Sequence, residues 1–66
     1  GRETTKEYIR FLVIARGSAR ETKGRYTRLR HWFAPDLVAD RTARCDRIIA
    51  VLTKTITTLH RREDRK

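Results

Sequence analysis

Tyr8-Ile9-Arg10-Phe11-Leu12-Val13-Ile14-Ala15-Arg16-Gly17-Ser18-Ala19 opens the stretch whose spacing decides the fold. Tyr8, Leu12, Ala15 and Ala19 recur at intervals of 4-3-4, and Thr22, Tyr26, Leu29 and Phe33 continue the series. That heptad seam predicts a helix laying one narrow stripe against a partner helix. Ile9 and Val13 form a shorter apolar stripe beside it. A helix with two apolar faces usually touches two neighbours. Thr4 and Glu7 have the spacing of a capping box, in which each side chain satisfies the other's backbone N–H. Helix one is therefore expected over residues 5–31. Gly24 weakens it by up to about 1 kcal/mol relative to alanine. Small residues at Gly17 and Ala19 leave room for another backbone to approach.

Outward from this stretch, His31-Trp32-Phe33-Ala34-Pro35-Asp36 breaks the pattern. Proline disfavours a helical residue before it and is tolerated in a first helical turn. A turn is expected over 32–36, with Trp32 and Phe33 plugging the apolar end more readily than offering a stacking platform. The second seam reads Val38, Thr42, Cys45, Ile49, Leu52, Ile56, Leu59, widened by Ile48 and Val51. Thr53, Thr55, Thr57 and Thr58 add strand propensity, but the heptad spacing decides for helix over 37–61. Asp36 and Asp40 suit its positive start, Arg61 and Arg62 its negative end. Residues 62–66 are expected to fray.

Each predicted helix is roughly 38 Å long, and the short turn makes the two antiparallel neighbours. The expected fold is all-α: an antiparallel two-helix hairpin forming half of a four-helix bundle. A lone hairpin would leave Ile9, Val13 and Ile48 wet. Completion by oligomerisation, or by helices preceding Gly1, is therefore expected. A chain of 66 residues is one domain at most and is marginal alone. Cys45 is the only cysteine, which suits a reducing, cytoplasmic compartment. No apolar run approaches the length of a membrane span. No methionine is present, which is expected of a processed chain or a fragment.

The charge is strongly basic, with 17 Lys+Arg against 8 Asp+Glu, a net +9 and pI ≈ 11.1. Polyanions are the first partners to expect from such a balance. Arginine dominates, and its planar fork suits phosphate contact and base stacking. Arg16, Arg20 and Lys23 form a basic line at i, i+4, i+7. Arg16 and Arg20 repel each other by a few tenths of a kcal/mol, which a bound anion would relieve. These three, with Arg28 and Arg30, are the expected phosphate contacts, and Arg41, Arg44 and Arg47 would extend the patch. Such contacts position nucleic acid by charge and shape, with little base readout. An ordinary solvated face explains the same stripe equally simply.

Catalysis is not expected. His31 and His60 fall at opposite ends of a hairpin, too far apart to share a metal. Cys45 sits on the apolar seam as a small buried side chain without a histidine neighbour. Asp36 and Asp40 fit helix-start electrostatics better than acid–base work. Gly17 and Gly24 do not make a phosphate loop. No cofactor or metal site is expected.

One longer pattern bears on identity. Gly1-Arg2, Thr4, Lys6-Glu7-Tyr8-Ile9-Arg10-Phe11-Leu12, Ile14-Ala15 and Gly17-Ser18 stand in order. This string resembles the middle of the four-helix-bundle proteins encoded by 23S rRNA intervening sequences in bacteria. In that family a glycine-arginine turn leads into a lysine-acid-aromatic helix ending in glycine-serine. The likeness is dense to Ser18 and thinner toward Leu59, with Arg16 and Thr22 where the family often has leucine. It implies that this chain matches the carboxyl-terminal half of the family bundle. Related bundles form pentameric basic rings, and one branch assists the reverse transcriptases of diversity-generating retroelements. The resemblance thus implies a scaffold that binds RNA or a ribonucleoprotein. Two alternatives stand beside it: an assembly adaptor for a reverse transcriptase or another acidic protein, and a truncated remnant without function.

Overall fold

A computed structural model describes residues 2–65, with side-chain surroundings from Thr4 to Arg65. Two α-helices account for most of it: α1, Arg2–Arg28, and α2, Pro35–Asp64. A single 3-10 turn, Arg30–Trp32, lies between them. The all-helical expectation is met, and no strand occurs among the described residues.

The boundaries differ from those expected. α1 already includes Arg2, so Thr4 lies inside the first turns and is not the cap of a box with Glu7. Gly1, the first half of the glycine-arginine turn implied by resemblance, lies outside the described residues. At the other end α1 stops at Arg28 and not at His31. The Leu29 N–H still donates to the Arg25 carbonyl, but the Trp32 N–H donates back only three residues, to Leu29. Tightening into 3-10 geometry satisfies carbonyls that an α-helix end leaves orphaned. α2 begins at Pro35 itself, whose missing N–H costs nothing at the first helical position. Its last turns include Arg62–Asp64, which were expected to fray. Lys66 lies outside the described residues.

Threonine does not oppose helix here. The hydroxyls of Thr22, Thr27, Thr42 and Thr55 each donate to the carbonyl four residues earlier. This back-bonding absorbs a polar group that would otherwise compete for the backbone.

The helices lie side by side, giving a rod of 49 × 15 × 13 Å. Their cross-contacts run in antiparallel order, Lys23 meeting Asp46 and Arg16 meeting Thr53. Ile9, Leu12 and Ile56 form the buried cluster, with Leu52 and Leu59 packed against it. The α2 seam follows expectation: Cys45 and Ile56 are buried, and Val38, Thr42, Ile49, Leu52 and Leu59 are half-buried. The α1 seam does not. Ile9, expected to stay wet, is 7% exposed, whereas Tyr8 of the predicted stripe is 50% exposed. α1 is rolled so that Ile9, Leu12, Arg16 and Lys23 line the contact. The flank carrying Tyr8, Thr22 and Leu29 turns outward. Val13 and Ile48 do remain exposed, as expected.

At Gly17 an added Cβ would meet nothing within 4 Å. Gly17→Ala should therefore stabilise α1 by about 1 kcal/mol. For a domain of this size that raises the melting midpoint by roughly 4–8 °C, read by circular dichroism. An unchanged or lower midpoint would show that another chain already occupies the space beside Gly17.

Candidate nucleic-acid interface

The eight cations singled out in the sequence do not form one patch. Arg16 and Lys23 lie along the helix–helix seam. The Arg16 Nη1 donates to Thr53 Oγ1 at 3.3 Å, and Lys23 Nζ pairs with Asp46 at 2.7 Å. Both contacts clasp the same edge of the seam, because Asp46 and Thr53 stand seven residues apart on one side of α2. Arg16 is thus half-buried, its stem lying over the seam while its head bonds across it. The two residues serve the packing of this chain before any ligand.

Arg41 and Arg44 are held on the other edge of α2. Asp40 pairs with Arg44 Nε at 3.0 Å and with Arg41 Nη1 at 3.5 Å. Asp40 was assigned to the helix start; Asp36 fills that place in the first turn. Arg30 ends α1 electrically and by bonding, its Nη1 donating to the Thr27 carbonyl at 2.7 Å. A cation there meets the negative end of the helix.

Arg20, Arg28 and Arg47 have no ion pair or hydrogen-bond partner among the described residues. Arg47 faces outward from α2, away from α1. Arg20 and Arg28 share a face of α1 with Gly24 between them, at i, i+4, i+8. Arg10 and Gly17 continue that face toward the amino end, each one heptad from the next small position. The result is a strip of exposed arginines open at Gly17, whereas the Arg28 guanidinium lies over Gly24, its Nη1 3.1 Å from where a Cβ would stand. A phosphate backbone can approach closely where no Cβ stands in the way. Arg10 was not among the residues expected to bind; the i+7 relation to Gly17 and Gly24 was the available signal.

The opposite flank of the molecule is apolar. Ile48, Val51 and Thr55 follow 4-3-4 spacing with Arg44 on the edge of α2 away from Asp46 and Thr53. Tyr8 and Phe11 turn to the same side from α1, with Ile14 beyond them. Phe11 and Val51 are each 64% exposed. Sequence spacing had marked Ile48 and Val51 as widening the seam, yet they stand clear of it. Phe11 and Ile14 belong to no predicted stripe and were missed.

Comparison with protein-family models, curated proteins and solved structures finds no match. Functional reasoning therefore rests on the side chains themselves.

At the tip, Phe33 turns back onto Tyr26, with ring centroids 5.8 Å apart and planes tilted by 51°. Phe33 meets the plug expectation only in part, since it contacts Tyr26 yet stays 40% exposed. Trp32 does not: its side chain is 82% exposed. Cys45 is buried as expected. His31 lies in the 3-10 turn and His60 near the end of α2, at opposite ends of the rod. No helix among the described residues is long and apolar enough to cross a membrane.

Lys23 and Asp46 form a surface pair with short geometry. A double-mutant cycle with Lys23→Gln and Asp46→Asn should give a coupling of about 0.2–1 kcal/mol that falls with added salt. A coupling near zero in urea melts at low salt would show that this clasp adds nothing to stability.

Proposed function

We propose that this chain is a basic helical-bundle protein that binds RNA or a ribonucleoprotein through arginine-rich helix faces, without catalysis. The resemblance to 23S rRNA intervening-sequence proteins points the same way. The observation that carries the reading is the strip Arg10, Arg20 and Arg28, without an ion pair or hydrogen bond among the described residues and open at Gly17. In a chain of net charge +9 these guanidiniums make no ion pair among the described residues. A row of phosphates pairs with them and releases counterions. Arg41 and Arg44, which share the one carboxylate of Asp40, contribute less than the sequence alone suggested. Cys45, buried and unpaired, suits work in a reducing, cytoplasmic compartment.

The architecture proposed for it is a hairpin that makes half of a four-helix bundle. The apolar flank of Tyr8, Phe11, Ile14, Ile48 and Val51 is the surface for completion, here by a second copy. That flank also favours the second reading, an adaptor for a reverse transcriptase or another protein partner. Ile48→Asp with Val51→Asp should convert the assembly to monomer in sedimentation and lower helicity at micromolar concentration. If the unaltered chain is already monomeric and fully helical, the flank belongs to a different protein and the adaptor reading gains.

The binding test is anisotropy of a labelled RNA stem-loop at several salt concentrations. Replacing Arg10, Arg20 and Arg28 by glutamine should reduce the salt slope by about 2–3 and weaken all RNAs alike. Replacing Arg41 and Arg44 should change the slope little. An unchanged slope in the first variant removes the strip from the interface.

A further inference from the structure

Trp32 is the one tryptophan in the chain and is its most exposed large apolar side chain among the described residues. Its backbone is nonetheless fixed. The Trp32 N–H donates to the Leu29 carbonyl at 2.9 Å, and the next N–H, of Phe33, donates to Arg30 at 3.3 Å. Phe33 then adopts an extended conformation, φ −127 and ψ 158, which directs its ring inward onto Tyr26. The indole is left outside on a rigid stem. Basic residues flank it in sequence: Arg30 is anchored on Thr27 and His31 is exposed in the same turn, while the Arg28 guanidinium turns back over Gly24. A depression of about 340 Å³ opens at this turn, lined by Arg30, His31, Pro35, Val38 and Ala39. Its floor is apolar and its rim cationic.

An exposed indole two residues from the Arg30 guanidinium suits a flat, anionic-backed ligand. Paired bases are stacked on their neighbours and hide both faces, whereas an unpaired base offers one. We propose that the tip of the rod is a stacking platform for single-stranded RNA, in which an unpaired base lies on Trp32 while Arg30 holds a flanking phosphate. This rests on the RNA-binding reading and names the substrate form within it: loops and unpaired segments, not continuous duplex. A protein copy covering the tip is the competing occupant. It is disfavoured here because Arg30, beside Trp32 in the turn, would meet the same arginine of another chain.

The single tryptophan makes the test direct. Its fluorescence is followed while a short oligouridylate, or a fully paired RNA duplex of equal length, is titrated in. The expected result is quenching by the single strand and little by the duplex. Trp32→Ala should weaken single-strand binding roughly five- to a hundredfold and leave duplex binding unchanged. Trp32→Phe should recover most of it. Circular dichroism should be the same for all three, since the side chain is 82% exposed. Equal affinity of Trp32→Ala and the unaltered chain for oligouridylate would overturn the proposal. So would a blue shift of the emission with rising protein concentration and no RNA, which would mean that another copy buries the tip. If Trp32→Ala is silent while the Arg10, Arg20, Arg28 variant loses affinity, the strip stands and the platform falls. Absence of binding to either RNA overturns both.

Discussion

Two helices have one line of contact, and everything in this molecule follows from how little that line can hide. Each helix is a cylinder, so a neighbour covers only one stripe of it. Here the stripe buries four side chains below a tenth of their surface: Ile9, Leu12, Cys45 and Ile56. No described side chain is fully enclosed. Half-buried Leu52 and Leu59 pack against this cluster, and one edge of the seam is closed by polar groups. Arg16 and Lys23 stand where a larger protein would place leucine, and they close the edge through Thr53 and Asp46. Such bonds at the surface add less than an apolar pair would, but they fix which edge faces which. A seam clasped on one side by polar groups and left apolar on the other gives the rod two unlike flanks.

Those flanks sort the chemistry. The Gly17–Gly24 side of α1 carries the unpartnered arginines, and the Ile48–Val51 side of α2 carries exposed aliphatic surface. A rod with this division can add helices along one side without covering the charge on the other. The division also separates two roles that net charge alone would merge. Cations beside an acid, such as Arg44 at Asp40, belong to the structure of the helix. Cations without one carry an unmet demand.

The helices, the turn at Pro35 and the whole contact line of α2 were legible in the sequence. Heptad spacing on α2 gives the stripe Ile49, Leu52, Ile56 and Leu59, although Ile48 and Val51 beside it, expected to widen the seam, stand clear of it. On α1 the signal was divided. Tyr8 and Ile9 are adjacent and both apolar, as are Leu12 and Val13, so two stripes one residue apart compete. Which of them packs is decided by fit against Ile56 and Leu59, a tertiary fact that spacing does not contain. The division of the cations was equally hidden. Arg16, Arg20 and Lys23 look alike along the chain, and only the cross-helix partners of the first and third distinguish them from the second. Trp32 and Phe33 are adjacent aromatics, and the backbone dihedral at Phe33 alone sends one inward and the other out.

The placement of the buried cluster sets the order in which the fold can assemble. Tyr26 and Phe33 meet across a short loop, while Ile9 and Leu12 reach Ile56 only after nearly the whole chain has doubled back. Closure near the turn is quick and loses little entropy, but it hides little surface. The largest gain arrives at the far end, where the loop to be closed is longest. A chain built this way zips from the tip and is secured last at the open end, so its transition state should already hold most of the native contacts.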